Sequence, residues 1–330
     1  MDQEPLLVLT HERIPSLGDS SLATYIHAAT SDNTRRAYQG DVRHFIEWGG
    51  QLPSSPERIL QYLQQQANAL NPRTLVRRLT AIKQWHITQG FIDPTAHPLI
   101  RKTLKGIQHL HGTPKEKALP LRLDILLQLV TWLQQTSTLI HARNNALLQV
   151  GFFGAFRRSE LVGLQWEHIR WVPEGLEILI PRSKTDQTGE GQICAIPYGD
   201  EILCAVRALK NWCENAAITE GAIFRRISKN ECIQTQSITA AQWNTIFKSM
   251  VKACNIPESD AYSSHSLRRG FATTASQKGA PFGAIMQQGR WRHEGTVLGY
   301  IEEGKRFEGN AVNFIVDQKN IPAERNHDGT

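Results

Sequence analysis

The most telling stretch of the sequence is GAFRRSELVGL, at residues 154–164. It contains the pattern R-x-x-E-L, which begins at Arg157. A second stretch, HSLRRGFA at residues 265–272, contains the pair His265 and Arg268 in the pattern H-x-x-R. Together they supply two arginines, a carboxylate and an imidazole. Arginine binds phosphate through a planar fork of donors, and histidine can exchange a proton near neutral pH.

Three further residues complete the set. Trp291 precedes Tyr300 by nine positions (300 − 291 = 9), Arg268 precedes it by 32 (300 − 268 = 32), and Lys184 lies upstream in the sequence SKTD. Phosphoryl transfer needs an in-line nucleophile, neutralisation of the non-bridging oxygens and a proton for the leaving oxygen. These residue types can meet all three needs, and no tight acidic cluster accompanies the motifs to bind a metal ion. We therefore predict phosphodiester chemistry without a metal or any other cofactor.

These motifs resemble those of the tyrosine recombinases, the phage integrase family. Residues 154–164 and 265–272 match two of the family's motifs, and the similarity covers nearly the whole chain. Many members have a histidine where this chain has Trp291, so the tryptophan makes it most similar to Cre-type recombinases. The sequence GRWRH at residues 289–293 is a less typical form of its motif.

The resemblance implies a site-specific DNA recombinase that cleaves and rejoins DNA through a 3′-phosphotyrosine intermediate. It implies a homotetramer on two double-stranded DNA sites, each an inverted repeat, with strand exchange through a Holliday junction. The implied fold is mainly α with a small β-hairpin or sheet. An N-terminal helical, SAM-like core-binding domain and a mixed α/β catalytic domain would form a C-shaped clamp around DNA.

The resemblance also implies which residues act on the phosphate directly. Tyr300 would be the nucleophile, and covalent storage of the bond would remove any need for ATP. Arg157 and Arg268 would clamp the phosphate, since each guanidinium can hold two oxygens. Lys184, on a hairpin turn, would protonate the leaving 5′ oxygen. The plainer alternatives are a tyrosine that packs a helix, an ordinary surface arginine and a solvated lysine.

The remaining motif residues would support that chemistry. His265 could exchange a proton or hydrogen-bond the phosphate, and its alternative is a core or capping histidine. Trp291 can only donate, through its indole N–H, and it could instead be a packing residue. His293 competes with Trp291 for this third donor role. Glu160 is interpreted as a residue that positions an arginine or histidine.

Charge is unevenly distributed along the N-terminal part of the chain. Residues 1–72 have five Lys/Arg and eight Asp/Glu, a net charge of −3, whereas residues 73–117 have nine and two, a net charge of +7. Such a local excess of cations suits contact with DNA phosphates, although a solvated helix face is the alternative. The candidate contacts are Arg35, Arg36, Arg73, Arg77, Lys83, Arg101 and Lys102.

Composition also bears on the compartment. The five cysteines show no C-x-x-C pair and no paired Cys/His spacing, which favours reduced thiols and no zinc site. The first residues lack the pattern of a signal peptide, and no apolar run approaches the roughly 20 residues of a membrane span. We expect a cytoplasmic, nucleoid-associated protein.

The chain is expected to have two domains and three connecting or terminal segments. These are an extension at 1–19, the core-binding domain at 20–111, a linker at 112–120, the catalytic domain at 121–305 and a tail at 306–330 that docks onto a neighbouring protomer. The patterns predict helices from Asn33 as N-cap, from Pro56, from Pro72, and over 98–110, 121–133 and 142–153. Residues 176–180 and 192–197 are predicted to form a hairpin.

Two other functions use the same features. A type IB-like topoisomerase would apply this chemistry to a single duplex, and a DNA-binding regulator could keep the fold without the reaction. The sequence leaves open the DNA target, the need for accessory proteins, and the choice among integration, excision, inversion and dimer resolution.

Overall fold

The computed structural model describes residues 25, 28–114, 116–181, 191–304 and 312. The chain divides into two compact units, of which the first ends at residue 115 and the second begins at Glu116. Within the described ranges, no helix is long and apolar enough to cross a membrane.

The first unit consists of helices whose starts are set by capping residues. Ser55 and Asn71 accept hydrogen bonds from the first turns of their helices, and a proline opens each of those helices. The helix α1 (Asp32–Glu47) begins two residues earlier than expected: Ser31, not Asn33, is its N-cap, because the Ser31 hydroxyl accepts the Thr34 N–H. The helices are α1 (Asp32–Glu47), α2 (Pro56–Gln66), α3 (Pro72–Thr88) and α4 (Pro98–His111).

The core of the first unit is separate from that of the second. It is built from fully buried side chains of α1 to α4 that recur at helical spacing, such as Phe45, Ile59, Leu75 and Ile82. This burial gives the unit its own hydrophobic stabilisation.

The second unit combines helices with two small antiparallel sheets. Its helices are α5 (Leu123–Gln134), α6 (Leu139–Phe153), α7 (Arg158–Val162), α8 (Ala205–Asn215), α9 (Ala240–Ala253), α10 (His265–Gln277), α11 (Phe282–Gly289) and α12 (Glu294–Gly304). Its strands are β1 (Ile169–Val172), β2 (Gly175–Ile180), β3 (Gln192–Pro197), β4 (Arg225–Ile227) and β5 (Ile233–Ser237). The prediction of a mainly α fold with a small sheet is confirmed.

The predicted hairpin is confirmed as the pair β2–β3. The strands are antiparallel, with Ile178 opposite Cys194, and β1 adds a third strand beside β2. Along β2 the side chains of Leu176, Ile178 and Ile180 are buried, which reflects the alternation of a strand with one face on a core.

The start of the second unit is held against α10 and the turn that precedes it. Leu119 N–H donates to Ala261 O at 3.0 Å, Leu121 N–H donates to Ser266 O at 2.9 Å, and Arg269 donates to Ala118 O. Gly270 permits this approach, because a Cβ there would lie 2.0 Å from the Leu121 carbonyl oxygen. These contacts fix α10, which begins at His265.

Candidate active site

The first arginine motif forms a tight turn between α6 and α7. Gly154 caps α6, Ala155 adopts a positive φ of 45°, and Arg157 becomes the N-cap of α7. Glu160 folds back on the turn: its Oε2 accepts the Arg157 N–H at 3.0 Å, and its Oε1 accepts from Arg157 Nη1 at 2.5 Å. The Glu160 side chain is 5% exposed and that of Arg157 is 23% exposed. The turn therefore presents a partly accessible guanidinium held by a buried carboxylate.

The second motif occupies the first turn of α10. Asn244 Oδ1, on α9, accepts from the Ser264 N–H at 2.9 Å and from its hydroxyl at 3.0 Å, and this fixes the start of the helix. His265 is exposed, while Arg268 is almost fully buried. Residues three apart on a helix are neighbours, so His265 and Arg268 are neighbours on α10.

Arg268 is a charged group held in an environment that disfavours charge. Its Nη1 donates to Ala155 O at 2.5 Å, whereas Nη2 is buried and has no hydrogen-bond partner in the described part of the chain. Burial, followed by the positive charge of Arg157, lowers its pKa to about 9. Two arginines from motifs more than 100 residues apart thus meet at one place, and one keeps a buried donor without a protein acceptor.

Trp291 and Tyr300 belong to the same site. The Arg268 guanidinium lies 4.1 Å from the centroid of the Trp291 ring, within range of a cation–π interaction. The Trp291 and Tyr300 rings meet edge-on at a centroid distance of 6.2 Å. Gly289 makes room for the indole, because a Cβ there would lie 1.7 Å from a Trp291 ring atom.

The hydroxyl of Tyr300 points to the start of α10. Its Oη forms a hydrogen bond of 3.2 Å with His265 Nε2. The hydroxyl of Thr273 donates to the Tyr300 carbonyl at 3.1 Å, and the Arg269 guanidinium lies 5.2 Å from the tyrosine ring centroid. Tyr300 is half-buried, and α12 holds its hydroxyl beside His265.

Two residues proposed from the sequence are not among the contacts described above. Lys184 lies outside the described residues. His293 is exposed, and its carbonyl accepts the Thr296 N–H at 3.2 Å near the start of α12. The geometry favours Trp291 over His293 as the group that faces Arg268.

The candidate DNA-contact residues of the first unit differ in their contacts. Arg77 makes a two-point pair with the buried Asp41, at 2.7 and 2.8 Å, and Arg73 donates to Thr113 O at 3.0 Å. The other candidates are Arg35 and Arg36, which bond to Asp32 and neighbouring acceptors, Lys83, which lies 3.8 Å from Asp93, and the exposed Arg101 and Lys102. Their contact with DNA stays a prediction.

The sequence analysis missed two residues that hold the site together. Gln288 Nε2 donates to Phe153 O at 2.9 Å and to Ala195 O at 3.0 Å, which joins α11 to α6 and β3. Arg290 is buried between α11 and the turn after α6. The unusual GRWRH sequence was the signal that could have identified Arg290.

Comparison with known proteins identifies the family of this chain. Residues 120–306 match the phage integrase family. An integrase/recombinase XerD homologue of Selenomonas ruminantium is 36% identical over 302 residues, which cover 89% of this chain and 88% of the relative. The tyrosine recombinase XerC of Xylella fastidiosa (strain M23) is 27% identical over 205 residues, 58% of this chain and 62% of the relative.

Solved structures share the fold. XerH recombinase bound to a palindromic difH substrate aligns with a TM-score of 0.60 and 16% identity over 87% of this chain and 81% of that one. A lambda integrase tetramer bound to a Holliday junction aligns with a TM-score of 0.59 and 13% identity over 83% and 73%. The particular likeness to Cre-type members stays a prediction. The matches over most of the chain show that it belongs to the phage integrase family and is a site-specific tyrosine recombinase.

Proposed function

We propose that Tyr300 is the nucleophile of this recombinase and that Arg157, Arg268 and Trp291 bind the scissile phosphate. The observation that carries the proposal is the meeting of Tyr300 Oη with His265 Nε2, at 3.2 Å, beside the buried Arg268. A lone tyrosine on a helix would be a packing residue. A tyrosine hydroxyl beside a histidine and a buried guanidinium has the surroundings of an activated nucleophile.

The reaction exchanges one phosphate ester for another. Tyr300 Oη attacks the phosphorus, a bond forms between them, and the bond from phosphorus to the 5′ oxygen breaks. The DNA keeps a 3′-phosphotyrosine link on one side and a free 5′ hydroxyl on the other. Attack by a 5′ hydroxyl reverses these steps and releases Tyr300, so no energy source is consumed.

The buried guanidinium of Arg268 suits the phosphate-binding role. Its Nη2 has no acceptor in the described part of the chain, and an unsatisfied buried donor is unfavourable. A phosphate oxygen at this position would satisfy that donor, and its negative charge would restore the pKa that burial lowers. The arginine is thus preorganised for an anion that protein groups do not supply.

Two protons move in each cleavage step. His265 Nε2 accepts the proton of Tyr300, since it is hydrogen-bonded to that hydroxyl. Lys184 donates a proton to the leaving 5′ oxygen, a role that rests on the family resemblance. Glu160 orients Arg157 through the pair described above.

The enzyme acts on double-stranded DNA as an assembly. Its sites are inverted repeats, four protomers join two of them, and strands exchange through a Holliday junction. Support comes from structural neighbours, which include a recombinase on a palindromic substrate and an integrase tetramer on a Holliday junction. The first unit serves as the core-binding domain, the tail at 306–330 docks onto a neighbouring protomer, and the protein works at the nucleoid.

The test is the formation of a covalent protein–DNA adduct. Nicked duplexes tiled across the DNA that flanks the encoding gene are incubated with wild type and with Tyr300→Phe, in the presence of EDTA and without ATP. We expect a denaturant-resistant adduct with wild type alone, while both proteins bind the same duplex in a gel-shift assay. An adduct with Tyr300→Phe would show that another residue is the nucleophile.

A further inference from the structure

Arg290 lies in the active site but takes no part in the steps above. It follows α11 in the left-handed conformation, with φ 55° and ψ 43°, which residues other than glycine seldom adopt. Its side chain is only 3% exposed. A buried charge is unfavourable unless it is paired and hydrogen-bonded, so the contacts of this side chain are informative.

Those contacts join two segments that are far apart in the sequence. Nη2 donates to Gly154 O at 3.0 Å, and Nη1 donates to Gln288 O at 2.8 Å. The guanidinium also lies 4.7 Å from the centroid of the Phe156 ring. Arg290 therefore fastens the residue before Trp291 to the turn that presents Arg157.

The carboxylate of Glu160 lies between two arginines. Its Oε1 is 2.5 Å from Arg157 Nη1, and its Oε2 is 3.5 Å from Arg290 Nη2. The carboxylate is buried, so both attractions act where solvent screening is weak. Arg290 thus pairs with one oxygen of the Glu160 carboxylate, and the Arg157 guanidinium pairs with the other.

We propose that Arg290 is a positioning residue that fixes the carboxylate of Glu160, which in turn fixes the guanidinium of Arg157 for phosphate binding. The inference rests on the proposed function of the site. Arginine suits the role because its fork reaches three acceptors at once: Gly154 O, Gln288 O and Glu160. The ammonium of lysine is a single point charge and would replace only part of this set.

The first test replaces Arg290 by glycine, which accepts the left-handed backbone and removes only the side chain. We expect Arg290→Gly to slow adduct formation on the nicked duplex by about 10- to 100-fold, the usual effect of losing a group that orients a reacting one. The affinity for the same duplex stays close to that of wild type. The melting temperature falls, because Gly154 O and Gln288 O lose their buried donor, so the rates are compared well below the melting temperature of the variant. Arg290→Lys recovers part of the rate, and so does millimolar guanidinium added to Arg290→Gly. Arg122→Gly is the matched control, since Arg122 is an exposed arginine paired with Asp124.

The second test asks whether Arg290 acts through Glu160. In a double-mutant cycle, the Glu160→Gln/Arg290→Gly protein should react no more slowly than Glu160→Gln alone, because the second substitution removes a contact that the first has already lost. Multiplicative losses would overturn the inference, as would a wild-type rate for Arg290→Gly. A wild type that forms no adduct on any duplex would overturn the proposed function and this inference together. A reactive wild type with an unaffected Arg290→Gly overturns this inference alone.

Discussion

At the scale of single residues, the site contains charged side chains whose burial lowers the stability of the folded protein. Arg268 is buried, and burial lowers the pKa of its guanidinium to about 9. The charged form is therefore less favourable in the folded than in the unfolded chain. This destabilisation is fully present below about pH 9 and is relieved as the pH rises above that value, toward the ordinary pKa of arginine.

Replacing Arg268 by methionine should therefore affect stability and activity in opposite directions. We expect Arg268→Met to abolish adduct formation and to raise the free energy of unfolding by roughly 1 kcal/mol at pH 7, since an apolar side chain of similar length replaces a buried charge. Urea unfolding at a series of pH values measures this gain, which should shrink above pH 9. A variant that is less stable at every pH would contradict the interpretation of Arg268 as a strained, functional charge.

The third phosphate donor can be assigned by a pair of substitutions. Trp291→Phe keeps an aromatic ring beside Arg268 but removes the indole N–H, and we expect cleavage to slow by about 100-fold. His293→Ala should leave the rate unchanged, because His293 is exposed and contributes its carbonyl to the start of α12. Single-turnover adduct formation distinguishes the two. The reverse pattern would assign the donor role to His293.

At the scale of elements, the position of α10 controls two functional residues, His265 and Arg268. The helix approaches the chain at Leu121 so closely that Gly270 leaves no room for a Cβ. Gly270→Ala should lower the free energy of unfolding by about 1–3 kcal/mol, the range for overpacking a tight contact. Gly283 in α11 is the control: no described atom outside its local segment lies within 4 Å of its Cβ position, and Gly283→Ala should stabilise the protein by about 0.5–1 kcal/mol. If Gly270→Ala and Gly283→Ala changed the free energy of unfolding equally in chemical denaturation, the contact at Leu121 would not be tight.

Elements with a local signal could be predicted from the sequence. Pro56, Pro72 and the alternation in residues 192–197 indicated their helices and strand, because capping and periodicity are properties of neighbouring residues. The strand β4 (Arg225–Ile227) was missed, since it is short and begins with two arginines. The start of α1 was placed at Asn33, although the nearby Ser31 provides the cap.

The residues of the site likewise include some that the sequence could predict and some that it could not. Motif spacing identified Arg157, His265, Arg268 and Tyr300, which the structure brings together. The role of Arg290 depends on a left-handed backbone and on contacts with a turn 136 residues upstream. Such long-range packing leaves no periodic trace in the sequence, so the structure was needed to find it.

At the scale of the whole molecule, the chain has two units with separate cores. The basic part of the first unit is expected to bind DNA phosphates, and each such contact adds about one unit to the slope of log affinity against log salt. Arg101→Ala/Lys102→Ala should lower that slope by about two, because both side chains are exposed. Arg77→Ala should instead reduce stability, since it leaves the buried Asp41 without its two-point partner. A double variant with the wild-type slope, measured by titration at several salt concentrations, would remove α4 from the DNA interface.

In the mechanism that we propose, this recombinase holds the cleaved DNA covalently on Tyr300. The most direct measurement is to isolate the covalent adduct from a nicked duplex, digest it, and identify the modified peptide by mass spectrometry. We expect a phosphodiester to the 3′ end of the cleaved strand on Tyr300, with a free 5′ hydroxyl on the released fragment. A link to any other residue, or a 5′-phosphoryl link, would contradict it.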